Sequence, residues 1–169
     1  MIRLETDRLI LREMTMDDAP ALHAVFGDAE TMRWFPQPYS FSEMQEGITR
    51  QIGRYPSGTG LLAMILKETA AVIGDCGLIW QGVEGVDEPE IGYHVQRAYW
   101  NRGFATEAAR AVMDYAFTTS GCDHVISMIR PENLPSRRVA EKNGLTVDRI
   151  VFWRGYDHCV YKITKATAQ

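Results

Sequence analysis

The sequence predicts an α+β (mixed α/β) domain, built on a central, mostly antiparallel sheet of seven strands with about four helices. Three observations predict it. Short apolar, β-branched runs recur between tight polar turns, the pattern of neighbouring antiparallel strands. Ala105, Ala108, Ala109, Val112, Met113, Ala116 and Phe117 follow the spacing of a helix with one buried face. A strand precedes that helix and another follows it, so residues 90–129 require a right-handed parallel crossover. The 169 residues suit a single domain over 1–169.

Taken in order, residues 9–12 read as the first strand. Thr15, with Asp18 three residues on, forms a capping box that opens a helix to about Phe26. Residues 28–38 are irregular, with Trp34, Phe35, Pro36 and Pro38 clustered. A second helix starts near Ser42, with Gln45 as its partner, and stops before Pro56-Ser57-Gly58. Residues 61–66 and 72–81 are strands around a turn. Residues 82–89 read as a loop and 90–95 as the fourth strand. The long helix stops at Ser120-Gly121. A strand over 124–129 and a short helix over 136–143 follow, and 147–153 with 157–163 form a closing hairpin. Trp80, Trp100 and Trp153 are expected to pack, given the area each ring buries.

Composition removes several function classes. A content of 46% hydrophobic and 24% charged residues is that of a globular protein. The formal net charge of -4 argues against nonspecific nucleic-acid binding, which uses basic faces. Cys76, Cys122 and Cys159 show no Cys-x-x-Cys and no zinc spacing, so no metal site is expected. They read as small buried hydrophobes in a reducing compartment. The first residues lack the apolar region of a signal peptide, and no window approaches 18 apolar residues. A cytoplasmic protein away from membranes is the expectation.

The chemical signal lies at Tyr99-Trp100-Asn101-Arg102-Gly103-Phe104-Ala105-Thr106-Glu107-Ala108, where a polar loop runs into the long helix. Backbone N–H groups at such a junction lack helical partners, and the helix dipole adds partial positive charge. The arrangement suits a phosphate. Gly103 lets an oxygen approach the backbone, and Arg102 adds a cation. It is neither a Walker A loop nor a dinucleotide fingerprint, because the required Gly-Lys-Ser/Thr and the three glycines are absent. A plain helix N-terminus after a turn is the other reading of the loop alone.

Four segments, in order, resemble the GNAT N-acetyltransferase superfamily, and within it the RimJ/RimL-type branch that includes ribosomal-protein N-terminal acetyltransferases. They are Glu5-Thr6-Asp7-Arg8-Leu9-Ile10-Leu11-Arg12 with Asp17-Asp18-Ala19, then Glu90-Ile91-Gly92-Tyr93, Trp100 to Ala108, and Asn133-Leu134-Pro135-Ser136 on to Gly144. The match departs from the superfamily pattern at three points. Trp100 stands at the first loop position, Asn101 replaces a frequent glycine, and His94 stands where a bulkier apolar residue is common.

The resemblance implies acetyl-CoA as donor, an amine as acceptor, and splayed fourth and fifth strands. The amides of Asn101, Arg102, Gly103, Phe104, Ala105 and Thr106 would hold the pyrophosphate. The backbone of Tyr93, His94 and Val95 would pair with the pantetheine arm, and an N–H of His94 or Val95 would polarise the thioester carbonyl. Asn133 would contact the same arm, with a turn role as its alternative. An ammonium cannot attack, so a base must take its proton. Glu90 is the first candidate, with a structural strand-end carboxylate as its alternative, and His94 the second. The family's fourth-helix tyrosine is missing, which leaves Ser136 to protonate the leaving thiolate or to cap its helix. Trp34, Phe35 and Tyr39 would line the acceptor pocket, or pack a loop onto the core.

The leading expectation is therefore acetyl transfer to a protein or peptide α-amine. The alternatives are transfer to a polyamine, amino acid or aminoglycoside, and a non-catalytic acyl-CoA-binding module. Dimers are common in the superfamily, so a homodimer stays open.

Overall fold

The structure is a computed structural model that describes residues 1–168. Eight strands form one sheet: β1 (Arg3–Glu5), β2 (Leu9–Arg12), β3 (Gly60–Leu66), β4 (Val72–Val83), β5 (Val86–Val95), β6 (His124–Ile129), β7 (Thr146–Trp153) and β8 (Tyr156–Thr164). The helices are α1 (Ala19–Phe26), α2 (Phe41–Arg54), α3 (Phe104–Thr118) and α4 (Leu134–Lys142). The strand order is β1-β2-β3-β4-β5-β6-β8-β7, antiparallel throughout except for β5 beside β6. The mixed fold and the parallel pair are as expected. The count differs by one, because Arg3–Glu5 adds a three-residue edge strand too short to show a period.

Each departure has a local cause. The segment 82–89 is a hairpin rather than a loop. Glu84 and Gly85 take φ of 51° and 82°, the two left-handed residues of a tight primed turn, and β4 and β5 pair up to Val83↔Val86. A glutamate in that position hides the turn. The cap of helix α2 lies two residues earlier than expected. Ser40 Oγ accepts from Glu43 N at 3.2 Å while Glu43 Oε2 accepts from Ser40 N at 2.7 Å, so this capping box prevails over Ser42 and Gln45. Helix α4 begins at Leu134 because Asn133 caps it, its Oδ1 accepting from Ser136 N at 3.3 Å. Ser136 is thus not the cap.

The main core lies between the sheet and the helices, centred on residues such as Leu9, Leu22, Ile48, Met64 and Val112. A smaller cluster, Val83, Ile126, Val151 and Val160, fills the space between the long β4–β5 hairpin and β7–β8. Trp80 is 52% exposed and does not pack as expected. Cys76, Cys122 and Cys159 are free and buried. No helix among the described residues is long and apolar enough to cross a membrane.

Candidate active site

Strands β5 and β6 share a single registered pair, Glu90↔Ile126, and then part. Up to Val95, β5 stays paired to β4. Ser127 Oγ donates to Ile91 O at 2.9 Å, so the Ile91 carbonyl faces β6. Alternation along the strand turns the Tyr93 and Val95 amides to the same open side. Even-numbered residues face β4, and the His94 carbonyl lies 2.0 Å from where a Cβ on Gly74 would stand. Of the two amides proposed for polarising a carbonyl, Val95 therefore faces the gap and His94 does not.

The gap leads to the start of α3. Asn101 and Gly103 both adopt left-handed backbone, φ 59° and 80°, and no side chain caps the helix. The first amides of α3 are thus directed outward, with Arg102 beside them over the Tyr99 and Phe104 rings at 5.7 and 5.1 Å. Arg8 braces this turn. Its Nη1 donates to Arg102 O at 2.9 Å, its Nε donates to Glu107 Oε2 at 2.7 Å, and its guanidinium covers Phe104 at 4.4 Å. The Trp100 indole donates to Val95 O at 2.6 Å, tying the loop to the end of β5. These outward amides, the left-handed glycine and the half-free β5 edge fit a long cofactor that carries a pyrophosphate at one end.

Two carboxylates and an imidazole line the α1 side of β5. Glu90 is half-buried, and Met128 N donates to its Oε1 at 3.3 Å. Burial raises its pKa from 4.5 to about 7, against that hydrogen bond and the charges of His94 and Arg154. Asp75, 1% exposed, sits opposite His94 across the β4–β5 ladder and meets its Nδ1 at 2.8 Å. The His94 ring lies 4.6 Å from Phe26 and 5.2 Å from Phe35. This pairing escaped sequence reading because Asp75 is nineteen residues away in an apolar run. The cross-strand register is the signal that reveals it.

On the opposite side, the Tyr93 hydroxyl donates to Ser136 O at 2.9 Å, and burial raises the Tyr93 pKa. The Ser136 N–H goes to Asn133 and its carbonyl to Tyr93, while its half-buried hydroxyl makes no hydrogen bond among the described residues. The expected acceptor residues divide. Phe35, 41% exposed, and half-buried Trp34 face the site. Tyr39 stacks on Phe26 at 5.5 Å and closes the loop onto the core.

The sequence matches the family model of the acetyltransferase (GNAT) domain over residues 8–146. It is 31% identical to the uncharacterized N-acetyltransferase p20 of Bacillus licheniformis, over 93% of this chain and 88% of that protein. Among solved structures, a GNAT-family acetyltransferase from Bacillus anthracis superposes with a TM-score of 0.84 at 24% identity, covering 98% of this chain and 99% of that one. RimL, a ribosomal L7/L12 alpha-N-protein acetyltransferase solved with coenzyme A, gives 0.80 at 18% identity, covering 96% and 98%. The aminoglycoside acetyltransferase AAC(6')-Ib, also with coenzyme A, gives 0.79 at 16%, covering 94% and 96%. With the splayed β5 and β6 and the uncapped start of α3 on one edge, the chain belongs to the GNAT family of acetyltransferases and is an acyltransferase that uses acetyl-CoA.

Proposed function

We propose that this enzyme is a RimJ/RimL-type N-acetyltransferase, working in the cytoplasm on the α-amine of a protein or peptide. The observation that carries the chemistry is Glu90, a half-buried carboxyl with a pKa of about 7 at the point where β5 and β6 part. A base of that pKa is half ionised near neutral pH and can both accept and release a proton. Bound acetyl-CoA supplies an acetyl group activated as a thioester. The amides of Arg102 to Thr106, with Asn101 in the turn, hold its pyrophosphate. Tyr93 and Val95 offer backbone groups to the pantetheine arm, the Val95 N–H polarises the carbonyl, and Asn133 flanks the arm. Glu90 takes the ammonium proton, directly or through water, which frees the nitrogen lone pair for attack. The Ser136 hydroxyl, on the other face, would give its proton to the departing thiolate and be replenished, through solvent, by the second proton that the attacking nitrogen sheds. Trp34 and Phe35 form the wall against which the acceptor lies.

A second reading of the base is favoured by the Asp75–His94 contact at 2.8 Å, which fixes the imidazole on the acceptor side. A second reading of the acceptor, a small amine such as a polyamine, amino acid or aminoglycoside, draws on the likeness to AAC(6')-Ib. Free-thiol release from acetyl-CoA, run against ribosomal-protein N-terminal peptides and these small amines, tests the proposal. Turnover on peptides supports it. Turnover confined to small amines replaces it with the second acceptor reading.

A further inference from the structure

The residue after β6, Arg130, has no role in the chemistry described so far. Glu90 and Ile126 are registered neighbours, so their side chains share one face of the sheet. Alternation along β6 and its continuation puts Ile126, Met128 and Arg130 on that face. The Arg130 guanidinium lies 3.9 Å above the Tyr156 ring and 5.7 Å from the Trp34 ring. Tyr156 opens β8, and Trp34 comes from the segment between α1 and α2. Three stretches distant in sequence thus converge on one cation.

That cation has one long ion pair, to Glu132, and no hydrogen bond among the described residues. Its Nε is buried without a hydrogen bond among the described residues. The nearest carboxylate oxygen, on Glu132, is 3.8 Å away, beyond hydrogen-bond range, and its side chain is 62% exposed. A second guanidinium, Arg154, projects from the left-handed β7–β8 turn over Trp153 at 4.2 Å, near enough to favour the ionised form of Glu90. By contrast Arg33, which also touches Trp34, is already ion-paired with Glu30 at 2.8 Å.

A half-buried guanidinium that lies against aromatic rings, with its terminal nitrogens free of hydrogen bonds among the described residues, is built for a carboxylate. It stands two residues on from Met128, whose amide holds Glu90, so roughly 7 Å of backbone separates that amide from the Arg130 Cα. We infer that the acceptor carries a carboxylate close to its amine, received by Arg130 with Arg154 at the rim, while the amine points to Glu90. The carboxylate has two sources, an acidic side chain at the start of a peptide or the α-carboxylate of a free amino acid. Polycationic acceptors, polyamines and aminoglycosides, meet two guanidinium groups there and are disfavoured. This inference rests on the transferase reading above.

Initial rates with acetyl-CoA test it, using the peptide Ser-Asp-Ala-Ala against Ser-Asn-Ala-Ala and free alanine against alaninamide, each compared as free amine. In at least one pair the carboxylate member is preferred by about 10- to 100-fold in kcat/KM, chiefly through KM, the factor of a charge-assisted hydrogen bond. The pair that responds identifies the source. Arg130→Gln brings that ratio towards one, and Arg130→Lys restores part of it. Ratios near one in both pairs overturn the inference, whatever the variants do. So does Arg130→Gln lowering both members of a pair equally, which makes Arg130 a structural clamp between Trp34 and Tyr156. Turnover confined to polyamines or aminoglycosides also overturns it while sparing the transferase reading. Acetyl transfer to no amine at all sinks that reading first and this one with it.

Discussion

Glu88 and Glu90 stand two residues apart on one face of β5 and behave in opposite ways. Glu88 is 6% exposed as a residue. Burial pushes its pKa up, yet hydrogen bonds with His124 at 2.5 Å and Arg149 at 3.1 Å outweigh that and hold it below its ordinary value. Glu90 accepts one backbone amide, and the charges of His94 and Arg154 act on it without a hydrogen bond, so desolvation prevails and it rises to about 7. Stronger desolvation of the carboxyl and fewer partners together turn the shift upward at Glu90. The difference arises where β5 and β6 cease to be paired. At Glu88 the start of β6 supplies His124, whereas at Glu90 the strands are parting and only the Met128 amide reaches across.

The largest effect that would break this contrast is Glu90→Gln, which cannot accept a proton. It lowers kcat/KM by about 10²- to 10⁴-fold. In the unaltered enzyme kcat/KM falls as pH drops below about 7, because protonated Glu90 is no base, and the variant loses that limb. The same change raises stability. A carboxyl lifted from 4.5 to about 7 on folding adds a penalty absent below pH 4.5, growing to pH 7 and complete above it. At about 1.4 kcal/mol per pH unit this reaches at most about 3 kcal/mol, read as a higher denaturation midpoint at pH 8 than at pH 5 relative to the parent. A variant with undiminished turnover would make Glu90 a strand-end carboxylate and nothing more.

Next in size is Glu88→Gln, with a linkage of opposite sign. A lowered folded pKa contributes stability that is present above 4.5 and lost as pH falls through the folded value. Removing the charge leaves Arg149 and His124 facing a neutral amide. Both are partly exposed, so the cost is about 2 kcal/mol, below the range for a fully buried pair. Acetyl-CoA affinity and the pH limb near 7 stay as in the parent, which a melt and a pH–rate profile would check.

A smaller change sharpens the assignment of the base. Asp75→Asn leaves His94 without its anion and costs about tenfold in kcat/KM, within what one charge-assisted hydrogen bond supplies. If the limb near pH 7 persists in this variant, Glu90 owns it. A limb that moves in this variant would instead be tied to the Asp75–His94 contact. The smallest effect expected is at Ser40, whose Ala variant loses the α2 cap for about 1 kcal/mol of stability and leaves turnover alone.

Much of this was legible before any coordinates. Helix α3 could be traced residue by residue, because seven apolar positions on a 3.6 period leave few alternatives. The turn before α3 was legible because a glycine at a helix start has a local reason, and Gly103 does take φ 80°. Glu90 is singled out through the family resemblance of its strand and the need for a base. What stayed hidden depends on register and long-range approach. Asp75 meets His94 only through the β4–β5 ladder, and Arg130 gains its aromatic faces from Trp34 and Tyr156, which no local spacing connects. Hairpin tips and helix caps failed where two residues offered similar chemistry, as with Ser40 and Ser42.

The clasp of Arg8 and Thr6 on Glu107 spans about a hundred positions of chain. Such a contact closes late, since its loop entropy must be met before it gives anything back. Helix α3 can form while the N-terminal strands are still adrift, but its first turn is then unbraced. Competence to hold the donor is thus a mark of completed assembly. Shortening the chain by its first eight residues would leave a recognisable sheet and a full-length helix with a slack cofactor turn.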